Sequence, residues 1–303
     1  MKKAIALTGI LFIFLALFCF VLPAPAESGK KDTAPRENSG QTVLRIRDRQ
    51  VISFEQMIRE ISGTDIIFLG ENHDSAADHM TELAVIRALH ASGASFALGL
   101  EMFRADSQKE LDAWVQGDLP QDGFRMIYYD NWGLPWRLYR DIFLFVRQAR
   151  IPAVGLNVPA EISDQVFEHG FASLSPSEKK DLPSGITCTV DAEYMRYIRQ
   201  MYRFHTEMGG QNKKSFYNFC QAQMLWDSAM ARNIAARLEK EKTPGIKMVV
   251  LTGIGHAWKR GIPEQIKKIS NYSYVVVLPG LPNGKADRDI TTDDADYILM
   301  GTR

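Results

Sequence analysis

The sequence predicts an α/β fold with a largely parallel central sheet flanked by helices, and with a long helical hairpin inserted between two strands. Three apolar runs, over 66–69, 96–100 and 248–251, carry the sheet prediction. Each is continuous rather than alternating, as expected of a strand covered on both faces. Each also ends in polar groups: the first in Gly70, Glu71, His73 and Asp74, the second in Glu101, the third in Gly253, Gly255 and His256. Ligands bind beyond the carboxyl ends of the strands in open α/β sheets, so the recurrence directs the search for function there.

In chain order, residues 42–46 give a short strand, and Ser53 followed by Gln56 reads as a capping box that opens a helix over 54–61. The strand over 65–69 follows. Asp74 or Ser75 caps a helix running to His90, with Gly93 as its stop, and the spacing aligns His79, Leu83, Ile86 and His90 on one face. The strand over 96–100 delivers Glu101, and a helix covers 105–116. Residues 118–135 hold Tyr128, Tyr129, Asp130, Asn131 and Trp132 among turn formers, and read as an irregular aromatic loop serving as a lid or binding surface. A helix over 136–147, a strand over 153–156 ending at Asn157 and a helix over 160–168 come next. A connection over 173–189, with one short helix near 176–180, leads to the hairpin. Its helices span 192–208 and 215–240 around Gly209 and Gly210, and are expected to pack over the strand ends. The chain closes with a strand over 248–251, a helix over 262–269, a strand over 274–278 and an edge strand over 297–300.

The length of 303 residues suits one large α/β domain, and 46% apolar with 24% charged residues is globular composition. Lys2 and Lys3 precede an uncharged segment over 4–21, and Ala24-Pro25-Ala26 gives a small-x-small cleavage site, so residues 1–26 read as a signal peptide. An uncleaved anchor is the competing reading. Lipidation at Cys19 is a third, with Phe18 standing where a small residue should precede a lipidated cysteine. Residues 27–41 are polar and form a flexible linker, leaving 42–303 as a single domain. The expected location is the periplasm or cell envelope, either free or held through the N-terminus. Equal numbers of basic and acidic residues, 36 each, give no reason to expect nucleic acid. Cys188 and Cys220 lack any C-x-x-C spacing, and a disulfide and two buried free thiols stand as equal expectations.

Glu71, His73, Glu101 and His256 are the residue types that hold a divalent metal or carry out acid–base chemistry, with Glu71, His73 and His256 as the metal set. The bland reading is that each caps a helix or satisfies buried backbone. Four such groups at strand ends favour a site. His79 reads equally as a packed histidine or a ligand, and Asn157 is a further polar residue at a strand end. On the hairpin, Tyr194, Tyr202 and His205 share a face of the first helix, while Gln223 and Asp227 interrupt the apolar stripe of the second. Buried polar groups need partners, so His205, Gln223 and Asp227 are expected to meet one another or a ligand. A Met and Tyr stripe is more often core than cofactor box. Tyr, Met and His also line haem pockets, and Arg196, Arg199 and Arg203 suit propionates as well as a solvated face. The Gly253–His256 turn lacks the third glycine of a dinucleotide fingerprint, and no G-x-S-x-G elbow is present.

Taken together, Gly70-Glu71-Asn72-His73-Asp74 with His79, Leu100-Glu101-Met102-Phe103, Asn157-Val158-Pro159, the stretch QAQMLWDSAM over 221–230 and Gly253-Ile254-Gly255-His256 resemble the ChaN-like haem-binding family of the Tiki superfamily. The resemblance runs from about Val51 to Gly261. It implies an α/β domain at a bacterial envelope, engaged in iron acquisition, binding haem or an iron complex as a homodimer and working with an envelope transport partner. Candidate haem contacts are Tyr202, His205 and Tyr217 on the hairpin, with His73 and His256 at the strand ends. The resemblance also implies kinship to metalloproteases and erythromycin-esterase-like proteins. That kinship makes a metal-dependent hydrolase the alternative, with Glu71, His73, Glu101 and His256 as its catalytic set and His79, Asn157, Gln223 and Asp227 in support.

Overall fold

The computed structural model describes residues 41–207, 216–240, 247–280 and 289–300, the side chains of 200–207 and 247 excepted. The expected signal peptide over 1–26, all but the last residue of the expected linker, and Gly209-Gly210 lie outside the described residues. Among the described residues no helix is long and apolar enough to cross a membrane.

The chain opens with a hairpin of β1 (Thr42–Arg45) and β2 (Gln50–Ser53), turned through Arg49 at φ 58°. α1 (Phe54–Ile61) follows at once because the Ser53 side chain accepts the Gln56 N–H. The other half of the expected capping box is not made, since the Gln56 amide reaches forward to Glu60. Then come β3 (Ile66–Glu71), α2 (Ala76–Ala91), β4 (Phe96–Arg104), α3 (Gln108–Gln116), α4 (Gln121–Asn131), α5 (Trp136–Ala149), β5 (Ala153–Asn157) and α6 (Ala160–His169). The hairpin is α7 (Ala192–Glu207) and α8 (Phe216–Lys240). β6 (Lys247–Gly253), the short α9 (Ile254–Ala257), α10 (Ile262–Ile269), β7 (Tyr274–Pro279) and β8 (Tyr297–Met300) complete the fold.

One sheet has the order β2-β1-β8-β7-β3-β6-β4-β5, parallel from β8 to β5 and antiparallel only where β1 meets β8 and β2. Successive strand residues point to opposite faces, and two cores result. Ile67, Leu69, Leu98, Leu100, Val249 and Leu251 pack under α1 to α5. Ile66, Phe68, Leu156, Met248 and Val250 pack under α9, α10 and the C-terminal half of α8. The N-terminal half of α8 joins α6 and α7 in a third cluster beside the strand ends.

This arrangement creates a switch point. After β3 the chain leaves toward the α2 face, while after β6 it leaves toward the opposite, α10 face. β3 and β6 are neighbours, and Glu71 pairs in register with Gly253. Chain diverging to both sides opens a crevice between the two strand ends.

Three expectations are corrected. Residues 118–135 are not an irregular loop, because α4 occupies 121–131. Phe124 and Tyr128, one turn apart, are fully buried, with Phe124 stacked on Trp114 at 4.2 Å, and this burial overrides the turn-forming composition. β8 is not an edge strand, since β1 covers its outer side and the Tyr297 hydroxyl bonds Glu60. β4 does not stop at Leu100. It bulges between Leu100 and Arg104, where Gly155 of β5 comes so close that a Cβ there would lie 2.2 Å from the Arg104 carbonyl oxygen. Cys188 and Cys220 are both free and buried, and burial pushes their thiols up to about 12 and about 11.

Candidate functional site

Glu71 ends β3, and its side chain lies in the switch-point crevice with 1% exposure. Its Oε1 accepts from His73 Nδ1 at 2.7 Å and from the Tyr139 hydroxyl of α5. Its Oε2 lies 3.1 Å from His79 Nδ1 in the first turn of α2. Burial alone would raise this carboxyl, but the hydrogen bonds and charges of His73 and His79 hold it well below the usual carboxylate range.

His73 sits in the connection that Ser75 and Asp78 fasten. Ser75 caps α2, and Asp78 Oδ2 accepts both the backbone and the amide N–H of Asn72 at 2.8 Å. The His73 ring meets the edge of Trp132 at 5.1 Å, and its Nε2 lies against Gly253, where a Cβ would be 2.7 Å away. Glycine at 253 is therefore what lets the ring reach the cluster.

Glu101 emerges from the β4 bulge. Its Oε2 is fixed by the Thr252 hydroxyl and by the Gly253 N–H at 2.7 Å, both at the end of β6. Asn157 at the end of β5 donates to the Glu101 carbonyl at 3.0 Å and so steadies the bulge. The remaining oxygen, Oε1, stands 3.8 Å from His73 Nε2 and 3.8 Å from His256 Nε2. At that separation one water can bridge each ring to the carboxylate.

His256, on α9, mirrors His73. Its Nδ1 is held by Asp227 Oδ1 of α8 at 2.7 Å, and Trp226 meets its ring edge-on at 5.9 Å. Asp227 Oδ2 accepts the Tyr194 hydroxyl of α7 at 2.7 Å, and the Tyr197 hydroxyl bonds the Gly255 carbonyl, so the hairpin braces the α9 turn. Burial opposes charge on His256, but Glu101 and Asp227 outweigh it and raise the ring to about 9. His73 is likewise raised, with Glu101 and Glu71 overcoming its burial. The result is one carboxylate oxygen facing two imidazoles, each backed by a second carboxylate.

The structure thus brings Glu71, His73, Glu101 and His256 together, with His79, Asn157 and Asp227 around them. It does not gather Glu71, His73 and His256 as metal ligands. Both rings are turned by Nδ1 contacts to separate carboxylates, and among the described residues the donor atoms close enough to share an ion belong to Glu71, His79 and Glu82. Asp227 gives one oxygen to His256 and the other to Tyr194. Gln223 is half-buried on α8, and Tyr217 is 45% exposed on its first turn. The side chains of Tyr202, His205 and Arg203 lie outside the described residues. Sequence reading missed Tyr139, Thr252, Glu82 and Trp226, and named Trp132 only as part of the expected aromatic lid or binding surface. The one available signal was Glu82 three residues after His79, an i, i+3 pair on a buried helix face.

The pattern of the haem-binding uptake family, ChaN, of the Tiki superfamily matches residues 57–266. The chain belongs to that family. No protein of curated function matches the sequence. Among solved structures, ChaN of Campylobacter jejuni, described with cofacially bound haem, superposes with a TM-score of 0.69 at 22% identity, covering 88% of this chain and 99% of that one. The likeness extends to the whole α/β architecture. The erythromycin esterase EreC, in an open mutant form, gives a TM-score of 0.45 at 13% identity over 82% of this chain and 78% of its own. A Bacillus cereus protein gives 0.43 at 16% identity over 74% and 68%.

Proposed function

We propose that this chain binds haem in the bacterial cell envelope and serves iron acquisition, with two copies sharing the ligand. Membership of the haem-binding uptake family over residues 57–266 carries the reading. The Campylobacter jejuni relative, described with haems bound face to face, supports the shared ligand.

The donor chemistry on the described surface fits haem. Beside the α9 turn, a cleft of about 290 Å³ is lined by Glu193, Arg196, Tyr197, Trp258, Arg260 and Asp294. Two guanidinium groups, two aromatic rings and the buried Trp258 indole N–H, which has no acceptor among the described residues, suit an amphipathic ligand that carries carboxylates. A cleft of this size receives an edge of the macrocycle rather than all of it. Arg260 is already paired with Glu193, which leaves Arg196 as the better propionate partner. Among the described residues of the hairpin Tyr217 offers an accessible iron donor, and the neighbouring Phe216 ring lies 5.0 Å beneath the Arg199 guanidinium. His256 is enclosed, and its Nδ1 is committed to Asp227, so it serves the site from behind. Bound haem supplies a redox-active iron, and the chain supplies its grip and its shelter from water.

A second reading, acid–base hydrolysis without a metal, is favoured by the Glu101 Oε1 that faces two imidazole Nε2 atoms. There Glu101 takes a proton from water while the raised, protonated His73 and His256 stabilise the developing oxyanion. One pair of variants separates the readings. Haem transport predicts that Tyr217→Phe weakens haemin binding while Glu101→Gln leaves it unchanged. Hydrolysis predicts the reverse sensitivity, with Glu101→Gln abolishing turnover of an ester or peptide substrate and Tyr217→Phe leaving it intact.

A further inference from the structure

Behind the strand-end cluster, and sharing Glu71 with it, lies a second group of ionisable side chains. Glu71, His79 and Glu82 are 1%, 2% and 3% exposed, and one ligand atom from each falls within 4.8 Å of the others. Among the described residues Glu82 Oε1 is fully buried with no hydrogen-bond donor, and Glu71 Oε2 has only His79 Nδ1, 3.1 Å away, which Glu82 Oε2 contests at the same distance. Leaving one carboxylate oxygen orphaned, and two more competing for one imidazole nitrogen, is costly in a protein interior, and all three belong to this one group.

The tautomer of His79 shows what would satisfy them. Its Nε2 lies 3.1 Å from the His73 carbonyl oxygen, which can only accept, so Nε2 carries a proton. Its Nδ1 then faces Glu82 Oε2 and Glu71 Oε2, both at 3.1 Å, with either a second proton or a lone pair. A proton on Nδ1 can be shared between Glu82 Oε2 and Glu71 Oε2, and it still leaves Glu82 Oε1 unserved. A lone pair on Nδ1, with Nε2–H anchored on a backbone carbonyl, is the arrangement of a metal-ligating histidine held by its outer shell.

We propose that Glu71, His79 and Glu82 form a binding site for one divalent first-row transition ion, taken through His79 Nδ1 and one carboxylate oxygen each of Glu71 and Glu82. One imidazole with two carboxylates is a donor set for Mn²⁺ to Zn²⁺ rather than for Ca²⁺ or Mg²⁺. The ion fastens the start of α2 to the end of β3. It also fixes His73, whose Nδ1 shares Glu71 and whose carbonyl receives His79. The site is separate from the haem contacts and does not rest on them.

The test is elemental analysis of the full chain purified without chelators, followed by stripping and titration with Zn²⁺, Mn²⁺ and Co²⁺ while thermal unfolding and Co²⁺ absorbance are recorded. The proposal expects about one non-haem metal equivalent per chain and a rise in Tm on reloading. Glu82→Gln should weaken binding by about a hundredfold or more, and His256→Ala should leave it unchanged. A wild-type chain that carries no metal, and whose Tm and absorbance respond to none of the three ions, overturns the proposal without any variant. Metal retained by Glu82→Gln, or lost in His256→Ala, overturns it too by moving the ion to the strand-end cluster. Haemin binding, read separately by Soret absorbance, is expected in the metal-free chain as well, so failure of the metal site and failure of the haem reading are distinguishable.

Discussion

At His256 two carboxylates, Glu101 and Asp227, set the state of the ring against its burial. Asp227→Asn removes the charge that helps raise His256, so the imidazole pKa should fall from about 9 toward 6.5, as an NMR titration of the ring would read. The stability consequence has a definite sign. A histidine whose folded pKa is raised stabilises the fold fully below about pH 6.5, and that contribution, about 3 kcal/mol for His256, is lost as pH rises through about 9. Burial of Asp227, which pushes its own carboxyl up, offsets part of it. Unfolding midpoints from pH 6 to 10 should therefore fall more steeply for wild type than for His256→Gln. On the other side of the cluster, Tyr139→Phe takes a donor from buried Glu71 and should cost about 1–3 kcal/mol in denaturant unfolding, with the fold retained. Glu71, His73, Glu101 and His256 were legible in the sequence because each follows an apolar run or a glycine turn. Tyr139 and Tyr194 were not, because a hydroxyl on a helix face reads as core until the facing strand end is known.

At the scale of elements, two glycines show how backbone positions the site. Gly155→Ala drives a Cβ against the Arg104 carbonyl, a backbone atom that cannot swing away, so the β4–β5 pairing must open at a cost of about 2–4 kcal/mol. Gly253→Ala meets instead the His73 ring, a side chain that can move, and should cost about 1 kcal/mol while turning His73 out of reach of Glu101. Thermal unfolding of the two variants, with the His73 ring resonance followed in the second, reads both effects. α1 and α2 were legible because Ser53 and Ser75 mark their starts and Gly93 marks the end of α2. α4 was not, because tyrosines, asparagine and aspartate resemble a loop until Phe124 and Tyr128 are seen to be buried one turn apart. The β4 bulge was equally hidden, since nothing in residues 101–104 distinguishes a strand that bends from one that ends.

For the whole molecule, the parallel sheet and inserted hairpin followed from the spacing of apolar runs, whereas the strand order did not. β6 lies between β3 and β4 although more than 140 residues separate it from β4 in the chain, and only that placement brings Glu101 and His256 to the same crevice. Local pattern carries no information about which distant strand is inserted where. The proposed sharing of haem between two copies predicts that light scattering will show the chain's mass doubling when haemin is added, and returning to that of the unliganded chain after Tyr217→Phe. The central claim is that this chain grips haem through the hairpin and the arginine-lined cleft beside α9. A haemin titration of the purified chain, followed at the Soret band, tests it most directly. The account predicts saturable binding that Tyr217→Phe and Arg196→Ala each weaken about tenfold, as expected for the loss of one charge-assisted or ligating contact. A linear, non-saturating rise in absorbance, the same in wild type and both variants, would contradict it.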